Sequence, residues 1–157
     1  MGENKIKMRA VIQRVSQSNV KVSGEVIGEI KGGLMVLVSF VDEDNDTDLD
    51  WMTKKIVNLR IFNDDEGKMN RSIQDVDGDI LLISQFTLHG STKKGNRPSF
   101  IKAAKPDLAN VMYEKFIKIL EQSLGKEIQT GEFGGDMKVS LVNDGPTTII
   151  IDSKDKE

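Results

Sequence analysis

Three short segments of this chain hold residue types that could do chemistry. The first is SQFTLHG, which places the hydroxyls of Ser84 and Thr87 and the amide of Gln85 just before His89. A hydroxyl becomes a nucleophile when a base activates it, and an imidazole is a common base. Because no carboxylate lies nearby in sequence to orient His89, a second interpretation stays open. In it, Ser84 and Thr87 bond to backbone groups where an apolar strand ends.

The second segment is GSTKKGNR, residues 90–97, which superficially resembles a phosphate-binding loop. That loop needs Gly-Lys followed by Ser or Thr, to reach the phosphates and hold a metal. Here Gly95 is followed by Asn96, which excludes it. The basic side chains nearby lie in a window without acids, residues 80–106, and could contact a few phosphates or form a solvated loop; they are Lys93, Lys94 and Arg97.

The third segment, NDGPTT, lies between two strand-like apolar runs near the end of the chain. Asp144-Gly145 alone would make a good hairpin turn. Pro146 removes a backbone donor just where the second strand should begin to pair. The proline therefore either stiffens a turn or gives the backbone a fixed shape that function requires.

Arg14 is a further candidate because it shares the face of a predicted strand with Ala10 and Ile12. A guanidinium beside an apolar surface either extends to solvent or anchors backbone carbonyls through its fixed donors.

Composition narrows the classes of function. The chain has no cysteine and one histidine, so thiolate chemistry, disulfides and most His-based metal sites are excluded, and we expect no metal and no cofactor. The net charge of −3 differs from the basic footprint of proteins that wrap long nucleic acid. No long apolar run or signal peptide is present, which predicts a cytoplasmic protein without a membrane segment.

The apolar pattern predicts the elements that position these segments. Strands are expected at residues 8–15, 19–22, 25–30, 34–41 and 79–88. A hairpin whose turn is residues 143–146 is expected to close the chain. Helices are expected at 46–59, with Thr47 and Asp50 as the capping pair, and from Pro106 to Gly125. In the second helix Leu108, Val111, Met112, Phe116, Ile119 and Leu120 should face inward.

Many short strands and two helices indicate an α+β fold. We expect one domain, residues 8–152, in which two helices pack against a mainly antiparallel, curved or barrel-like sheet. Residues 1–7 and 153–157 are expected to be tails.

The motifs SQFTL, KKGNRPSF and NDGPTT, with the opening MRAVIQRV, resemble the D-aminoacyl-tRNA deacylase family over residues 8–151. The resemblance implies an enzyme that removes a D-amino acid, or glycine, from the 3′ end of tRNA. It also implies a homodimer with active sites at the interface, and no DNA partner. The chain departs from the family pattern at Thr147, where the family often has valine.

Site residues follow from the resemblance. Ser84, Gln85, Phe86 and Thr87 would line the catalytic pocket. Gly145 and Pro146, joined by a cis peptide bond, would reach into the partner's pocket, with Arg14 and Asn143 in the same substrate-binding group. Lys93, Lys94 and Arg97 would contact RNA. Two alternatives are a Ser/Thr hydrolase of small esters or amides and a non-enzymatic RNA-binding barrel.

Overall fold

The computed structural model describes residues 7–154 and confirms the α+β fold, with a curved, nearly closed barrel-like sheet and two helices. The strands are β1 (Arg9–Val22), β2 (Glu25–Ile30), β3 (Gly33–Ser39), β4 (Phe62–Asn63), β5 (Met69–Arg71), β6 (Asp79–Ser84), β7 (Gln129–Thr130) and β8 (Lys138–Asp152). The helices are α1 (Asp46–Asn58), α2 (Pro106–Leu124) and a short 3-10 turn, η1 (Phe86–His89).

Strand β1 organises the main sheet. It pairs antiparallel with β8 along most of its length, and on its other edge first with β3 and then with β2. The sheet continues through parallel pairs, β3 with β6 and β6 with β7, so its strand order is β2-β1-β3-β6-β7 with β8 beside β1. The parallel order carries the end of β6 next to the end of β3, where the SQFTL segment begins.

Two apolar cores lie on opposite faces of this sheet. The larger core packs α1 and α2 against the sheet, with Ile12, Met52 and Phe116 fully buried in it. The smaller contains Val15, Val20 and Leu81. Burial of this apolar area is the main favourable contribution to folding.

Strand β1 serves both cores because its ladder shifts register at Gln13/Val15 and at Val15/Gln17. Such an irregularity exchanges the two faces of a strand. Before the irregularity, the even-numbered Ala10, Ile12 and Arg14 lie on the side of the larger core and Val15 faces the smaller one. After it, the even-numbered Val20 faces the smaller core.

Both predicted helices are present, with two corrections. In α1 the cap is Asn45, whose Oδ1 accepts from the backbone of Asp48 while the Asp48 carboxylate accepts from the Asn45 backbone; the predicted pair of Thr47 and Asp50 was wrong. An asparagine cap at position 45 satisfies helix N–H groups two residues earlier than a threonine cap at position 47 would.

In α2 the start at Pro106 and the left-handed C-cap at Gly125 are confirmed. The predicted inward positions Leu108 and Val111 are wrong, since they are 40% and 53% exposed. Ala109 and Tyr113 are buried in their place, because the helix is rotated toward its Ala109-Met112-Tyr113 face.

The strand predicted at residues 79–88 ends at Ser84. Its last cross-strand partner is Val38, and Gln85 N–H still donates to the Val38 carbonyl oxygen at 2.7 Å. The chain then turns into η1, in which Leu88 N–H donates back to Gln85 O. Gln85 and Thr87 therefore lie outside the regular strand that the sequence predicts for residues 79–88.

The closing hairpin is also corrected: residues 138–152 form a single strand, β8, that pairs with β1 on both sides of Gly145-Pro146. Between the pairs Val15–Asn143 and Gln13–Thr148, β1 advances two residues and β8 five. Three residues of β8 therefore bulge out of the ladder. The proline is tolerated because it lies in a bulge, where no ladder bond is needed.

Of the expected tails, residues 1–6 and 155–157 lie outside the described residues, whereas Lys7 and Ser153 are hydrogen-bonded to Asp48. None of the helices in residues 7–154 is long and apolar enough to cross a membrane.

Candidate functional site

The end of β6 and the η1 turn bring three of the predicted catalytic residues into one wall of a cavity. Ser84, Gln85 and Phe86 line it directly. Thr87 follows on the exposed side of the turn, and its hydroxyl accepts a short hydrogen bond from the Gln85 amide. Among residues 7–154 no hydrogen bond uses the backbone N–H of Phe86 or Thr87, so both groups can donate to a ligand.

The cavity has a volume of about 680 Å³ and is mostly apolar. Its second wall is the segment from Phe100 to Pro106, and its third is the segment from Phe133 to Met137. The Phe86 and Phe100 rings meet edge to face, with centroids 5.1 Å apart, at the junction of the first two walls. Phe86 is 55% exposed, so it offers its ring to an incoming ligand.

Lys105 is the sole charged side chain among the described residues that line this cavity, and the lining contains no carboxylate. A general base of the Asp or Glu type is therefore missing from the lining. A carboxylate base is therefore available only from outside this lining.

His89 is buried behind the same wall. Its Nδ1 lies 2.6 Å from Ser39 Oγ, and its Nε2 lies 2.8 Å from the carbonyl oxygen of Lys7. Burial lowers the pKa of His89 below its ordinary value, against the opposing effect of the Lys7 hydrogen bond. His89 does not contact Thr87 by any hydrogen bond in residues 7–154, so it does not activate that hydroxyl.

The bulge in β8 presents the NDGPTT segment at the surface. The Gly145–Pro146 peptide bond is cis, which confirms the expectation drawn from the resemblance. Gly145 has φ of +142°, and a Cβ atom there would lie 2.5 Å from Thr147 Oγ1 and 2.9 Å from Arg14 Nη2. Only glycine therefore fits at this position.

Arg14 holds this bulge from beneath and is only 7% exposed. Its Nε donates to the Asp144 carbonyl oxygen at 2.8 Å, and its Nη1 donates to the Ile61 carbonyl oxygen at 2.6 Å. Of the two interpretations of Arg14, the anchor for backbone carbonyls is therefore confirmed, and extension to solvent is wrong.

Asn143 closes the base of the bulge. Its Oδ1 accepts from Thr147 N–H at 2.7 Å, and its Nδ2 donates to Thr148 Oγ1 at 3.0 Å. Thr147, the departure from the family pattern, is buried, and its hydroxyl has no hydrogen-bond partner in residues 7–154. Asn143 thus shapes the bulge from within the chain.

The two groups of predicted residues lie in different places in a single chain. The cavity lining contains Ser84, Gln85 and Phe86 but neither Gly145 nor Pro146. Neither of these two has a partner on β1. In the described residues, the bulge of Gly145 and Pro146 therefore forms no part of the cavity lining.

The predicted RNA contacts lie on a loop beside the cavity. A backbone bridge between Ser91 and Ser99 closes this loop, and Lys93, Lys94 and Arg97 are exposed on it. Phe100 follows directly and lines the cavity. The structure contains no RNA, so these contacts stay a prediction.

The sequence did not indicate the second and third cavity walls. Phe100 ends the motif KKGNRPSF but carries no predicted role, Lys105 lies beyond that motif, and Phe133 lies in the segment GEFGGDM. An aromatic residue beside two glycines, just before a strand, was the available signal. Phe133 is held in place by ring contact with the buried Tyr113, at 5.9 Å between centroids.

Comparisons with known proteins find similarity over nearly the whole chain. The model of the D-Tyr-tRNA(Tyr) deacylase family matches residues 11–152. D-aminoacyl-tRNA deacylases of Flavobacterium johnsoniae and Bacteroides fragilis are 61% and 59% identical over 150 residues, which cover 96% of this chain and 100% of each relative.

Two solved structures share the fold. One, titled c-Myc DNA Unwinding Element Binding Protein, is 40% identical with a TM-score of 0.87, covering 91% of this chain and 97% of that one. The other, a probable eukaryotic D-amino acid tRNA deacylase, is 20% identical with a TM-score of 0.81, covering 94% and 100%. At that lower identity the likeness concerns the fold alone.

Proposed function

Since the chain belongs to the D-Tyr-tRNA(Tyr) deacylase family, we propose that it hydrolyses the ester bond between a D-amino acid and the 3′-terminal ribose of tRNA. It is thus a carboxylic ester hydrolase. The products are the free D-amino acid and tRNA with an intact terminal ribose. Glycine, which has no side chain of either hand, is the other acyl group that we expect it to release.

We place the active site between two copies of the chain. The cavity wall of Ser84, Gln85 and Phe86 comes from one copy, and the Gly145-Pro146 bulge comes from its partner. The observation that carries this proposal is the separation of the two groups in a single chain, together with the exposed position of the bulge. In a two-fold dimer the same pair of surfaces meets twice, which gives two sites.

The bulge is suited to testing the handedness of the acyl group. Pro146 has no N–H, and Arg14 engages the carbonyl of Asp144. In residues 7–154 no side-chain hydrogen bond reaches the carbonyl oxygens of Gly145 and Pro146, so both can accept a hydrogen bond from the substrate ammonium. A fixed wall of backbone would leave no space for an L side chain on that side.

Rejection by a steric clash is stronger than discrimination by a side-chain pocket. One methylene more or less in a pocket changes binding by only about 1–3 kcal/mol. A rigid wall instead excludes the L form of every amino acid that has a side chain. It accepts D-amino acids regardless of their side chain, because that side chain points outward.

The chemical step needs a nucleophile and stabilisation of the oxyanion. The free N–H groups of Phe86 and Thr87 can donate to the developing negative charge. The lining contains no carboxylate base, and an unactivated hydroxyl such as that of Thr87 is a weak nucleophile. The attacking group is therefore a water molecule, assisted by the ribose 2′-OH of the substrate, with Gln85 and Thr87 as positioning residues.

The remaining partners follow from the same scheme. Only the terminal adenosine and adjacent phosphates need to be bound, so a net charge of −3 is acceptable, and Lys93, Lys94 and Arg97 supply local positive charge. No metal or cofactor takes part in the scheme. The cytoplasm is the expected location, because aminoacyl-tRNA is made and used there.

The experiment that tests this function compares matched D-aminoacyl-, L-aminoacyl- and glycyl-tRNA. We expect the D-aminoacyl and glycyl esters to be hydrolysed and the L ester to survive. Equal rates on the D and L esters would contradict the chiral filter. Free D-amino-acid esters serve as the control, because equal activity on them would favour a small-ester hydrolase without RNA recognition.

A further inference from the structure

The pair of Ser39 and His89 lies at the cavity but has no role in the scheme above. Ser39 is the last residue of β3, and it lines the cavity beside Ser84 and Phe86. His89 ends the η1 turn and is 2% exposed. The 2.6 Å contact between Ser39 Oγ and His89 Nδ1 joins the cavity lining to this buried imidazole.

The contacts determine which nitrogen of His89 carries the proton. A carbonyl oxygen can only accept, so the 2.8 Å contact with Lys7 O requires a proton on Nε2. A neutral imidazole has one N–H, which leaves Nδ1 as an acceptor. The Ser39 hydroxyl must then donate its hydrogen to Nδ1, and only lone pairs of Ser39 Oγ are left for the cavity.

We propose that His89 is a positioning residue that makes Ser39 a hydrogen-bond acceptor in the cavity wall, selecting an occupant with an N–H or O–H donor at that point. This inference rests on the proposed function, which places the aminoacylated adenosine of tRNA in the cavity. The adenine amine, the ribose hydroxyls and the substrate ammonium are the donors of that ligand. A group that could only accept would be excluded there.

Protonation of His89 reverses the arrangement. Nδ1–H then donates to Ser39 Oγ, and the serine hydrogen is free to turn to the Phe86 carbonyl oxygen, which lies 3.4 Å away, or to the cavity. Burial keeps the pKa of His89 below its ordinary value, so at neutral pH the acceptor state is populated. The cavity should therefore lose its preference for a donor as the solution becomes acidic.

Charged groups from each neighbouring element act on this imidazole. Arg9 on β1 lowers its pKa and Asp152 on β8 raises it, and these two side chains pair with each other at 3.1 Å. Lys102, which lies in the Phe100 to Pro106 segment but does not line the cavity, lowers it further. The ammonium group of Lys7 pairs with Asp48. A second group that titrates in acid is Asp44, because burial raises its pKa to about 6. Acid titration of Asp44 must therefore be separated from that of His89.

The experiment reads the imidazole directly. His89 is the one histidine of the chain, so the imidazole ¹⁵N signals of the untagged full-length protein need no assignment. At pH 7.5 we expect the neutral tautomer with its proton on Nε2, and a titration midpoint below 6.5. A proton on Nδ1 at that pH would make Ser39 a donor to the cavity and would overturn the proposal.

Kinetic variants then test whether the pair acts on the substrate. We expect Ser39→Ala and His89→Leu each to lower kcat/KM for D-aminoacyl-tRNA about threefold to tenfold, as loss of one neutral hydrogen bond does. The double variant should lose no more than either alone, because both remove the same interaction. His89→Asn, whose side-chain oxygen can accept near the Nδ1 position, should recover part of the loss.

The pH profile separates positioning from a merely structural role. The ratio of wild-type to Ser39→Ala kcat/KM should fall toward one as pH drops through the measured midpoint of His89. A constant ratio, or additive losses in the double variant, would contradict the proposal. If His89→Leu does not fold, the pH profile of Ser39→Ala and the ¹⁵N measurement of the His89 tautomer still test the proposal.

Phe86→Ala distinguishes failure of the site from failure of this inference. Wild-type kinetics for Phe86→Ala would show that the cavity is not the acyl site, and would overturn the site and this inference together. Impaired Phe86→Ala with wild-type Ser39→Ala would overturn this inference only.

Discussion

The cavity wall and the β8 bulge are supported from behind by different kinds of polar side chain. Behind the bulge, the buried guanidinium of Arg14 donates to two backbone carbonyls, at 2.8 and 2.6 Å. Behind the cavity wall, the buried imidazole of His89 bonds to Ser39 and to Lys7 O. A guanidinium stays charged at every relevant pH, whereas an imidazole can gain a proton. The shape of the bulge should therefore be independent of pH, and the polarity of the cavity wall should not.

Removing the support of the bulge should have the largest effect. Arg14→Ala deletes two hydrogen bonds from a charged donor, and loss of the one that reaches the bulge, worth about 1.5–3 kcal/mol, should lower kcat/KM about 10-fold to 150-fold. Arg14→Lys is the control: it keeps the charge but lacks the fork that reaches both Asp144 O and Ile61 O. Near-normal activity of Arg14→Ala, with an unchanged melting temperature, would show that the bulge needs no anchor.

Removing a hydroxyl from the edge of the cavity should have a smaller effect. Thr87→Ala should lower deacylation about tenfold or less and leave measurable turnover, because no base activates this hydroxyl. Thr87→Ser keeps the hydroxyl and should resemble the wild type. Complete loss of turnover in Thr87→Ala, with fold and tRNA binding retained, would instead make Thr87 the nucleophile.

The basic loop beside the cavity should affect binding more than chemistry. Changing Lys93, Lys94 and Arg97 to glutamine should weaken tRNA binding, and should reduce the slope of log K against log salt by about two if each residue meets one phosphate. Lys115→Gln is the control, because this exposed lysine pairs with Asp46 on the α1 side of the molecule. An unchanged slope in the triple variant would refute these RNA contacts.

The smallest expected effect concerns the stability of the bulge. Thr147→Val removes a buried hydroxyl that has no partner in residues 7–154, so it should raise the free energy of unfolding by about 1 kcal/mol. Thr148→Val is the matched control, since its hydroxyl accepts from Asn143 and its loss should give no gain. Denaturant titration measures both. A less stable Thr147→Val protein would mean that the hydroxyl is satisfied.

The sequence predicted those parts of the fold that follow from local periodicity. The apolar spacing located both helices and most strands, and a lone guanidinium on an apolar face identified Arg14 as a candidate anchor. Turn chemistry at Asp144-Gly145 was misleading, because pairing of β8 with a distant strand outweighed it. The end of β6 was missed for a related reason: Phe86 and Leu88 continue a strand-like pattern, but the ladder between β3 and β6 ends at the pair of Val38 and Ser84.

The site was predicted less completely than the fold. Ser84, Gln85 and Phe86 were found because they lie in one contiguous motif. Phe133 and Lys105 reach the same cavity from distant parts of the chain, and single-sequence patterns carry no signal for such proximity. The separation of the bulge from the cavity also required coordinates, since it is a relation between two regions 60 residues apart.

The most direct test of a site shared by two copies uses a mixed dimer. One chain carries Gln85→Ala and Phe86→Ala, which damage the cavity wall, and the other carries Gly145→Ala, which the positive φ and the nearby Arg14 do not allow without distortion. The two chains are co-expressed with different affinity tags, and the dimer carrying both tags is isolated. Each homodimer should be inactive on D-aminoacyl-tRNA.

In the mixed dimer one site combines an intact cavity with an intact bulge, and the other combines the two damaged surfaces. The account predicts that deacylation returns to about half of the wild-type rate per dimer. A mixed dimer as inactive as its parents would show that the cavity and the bulge of one site belong to the same chain.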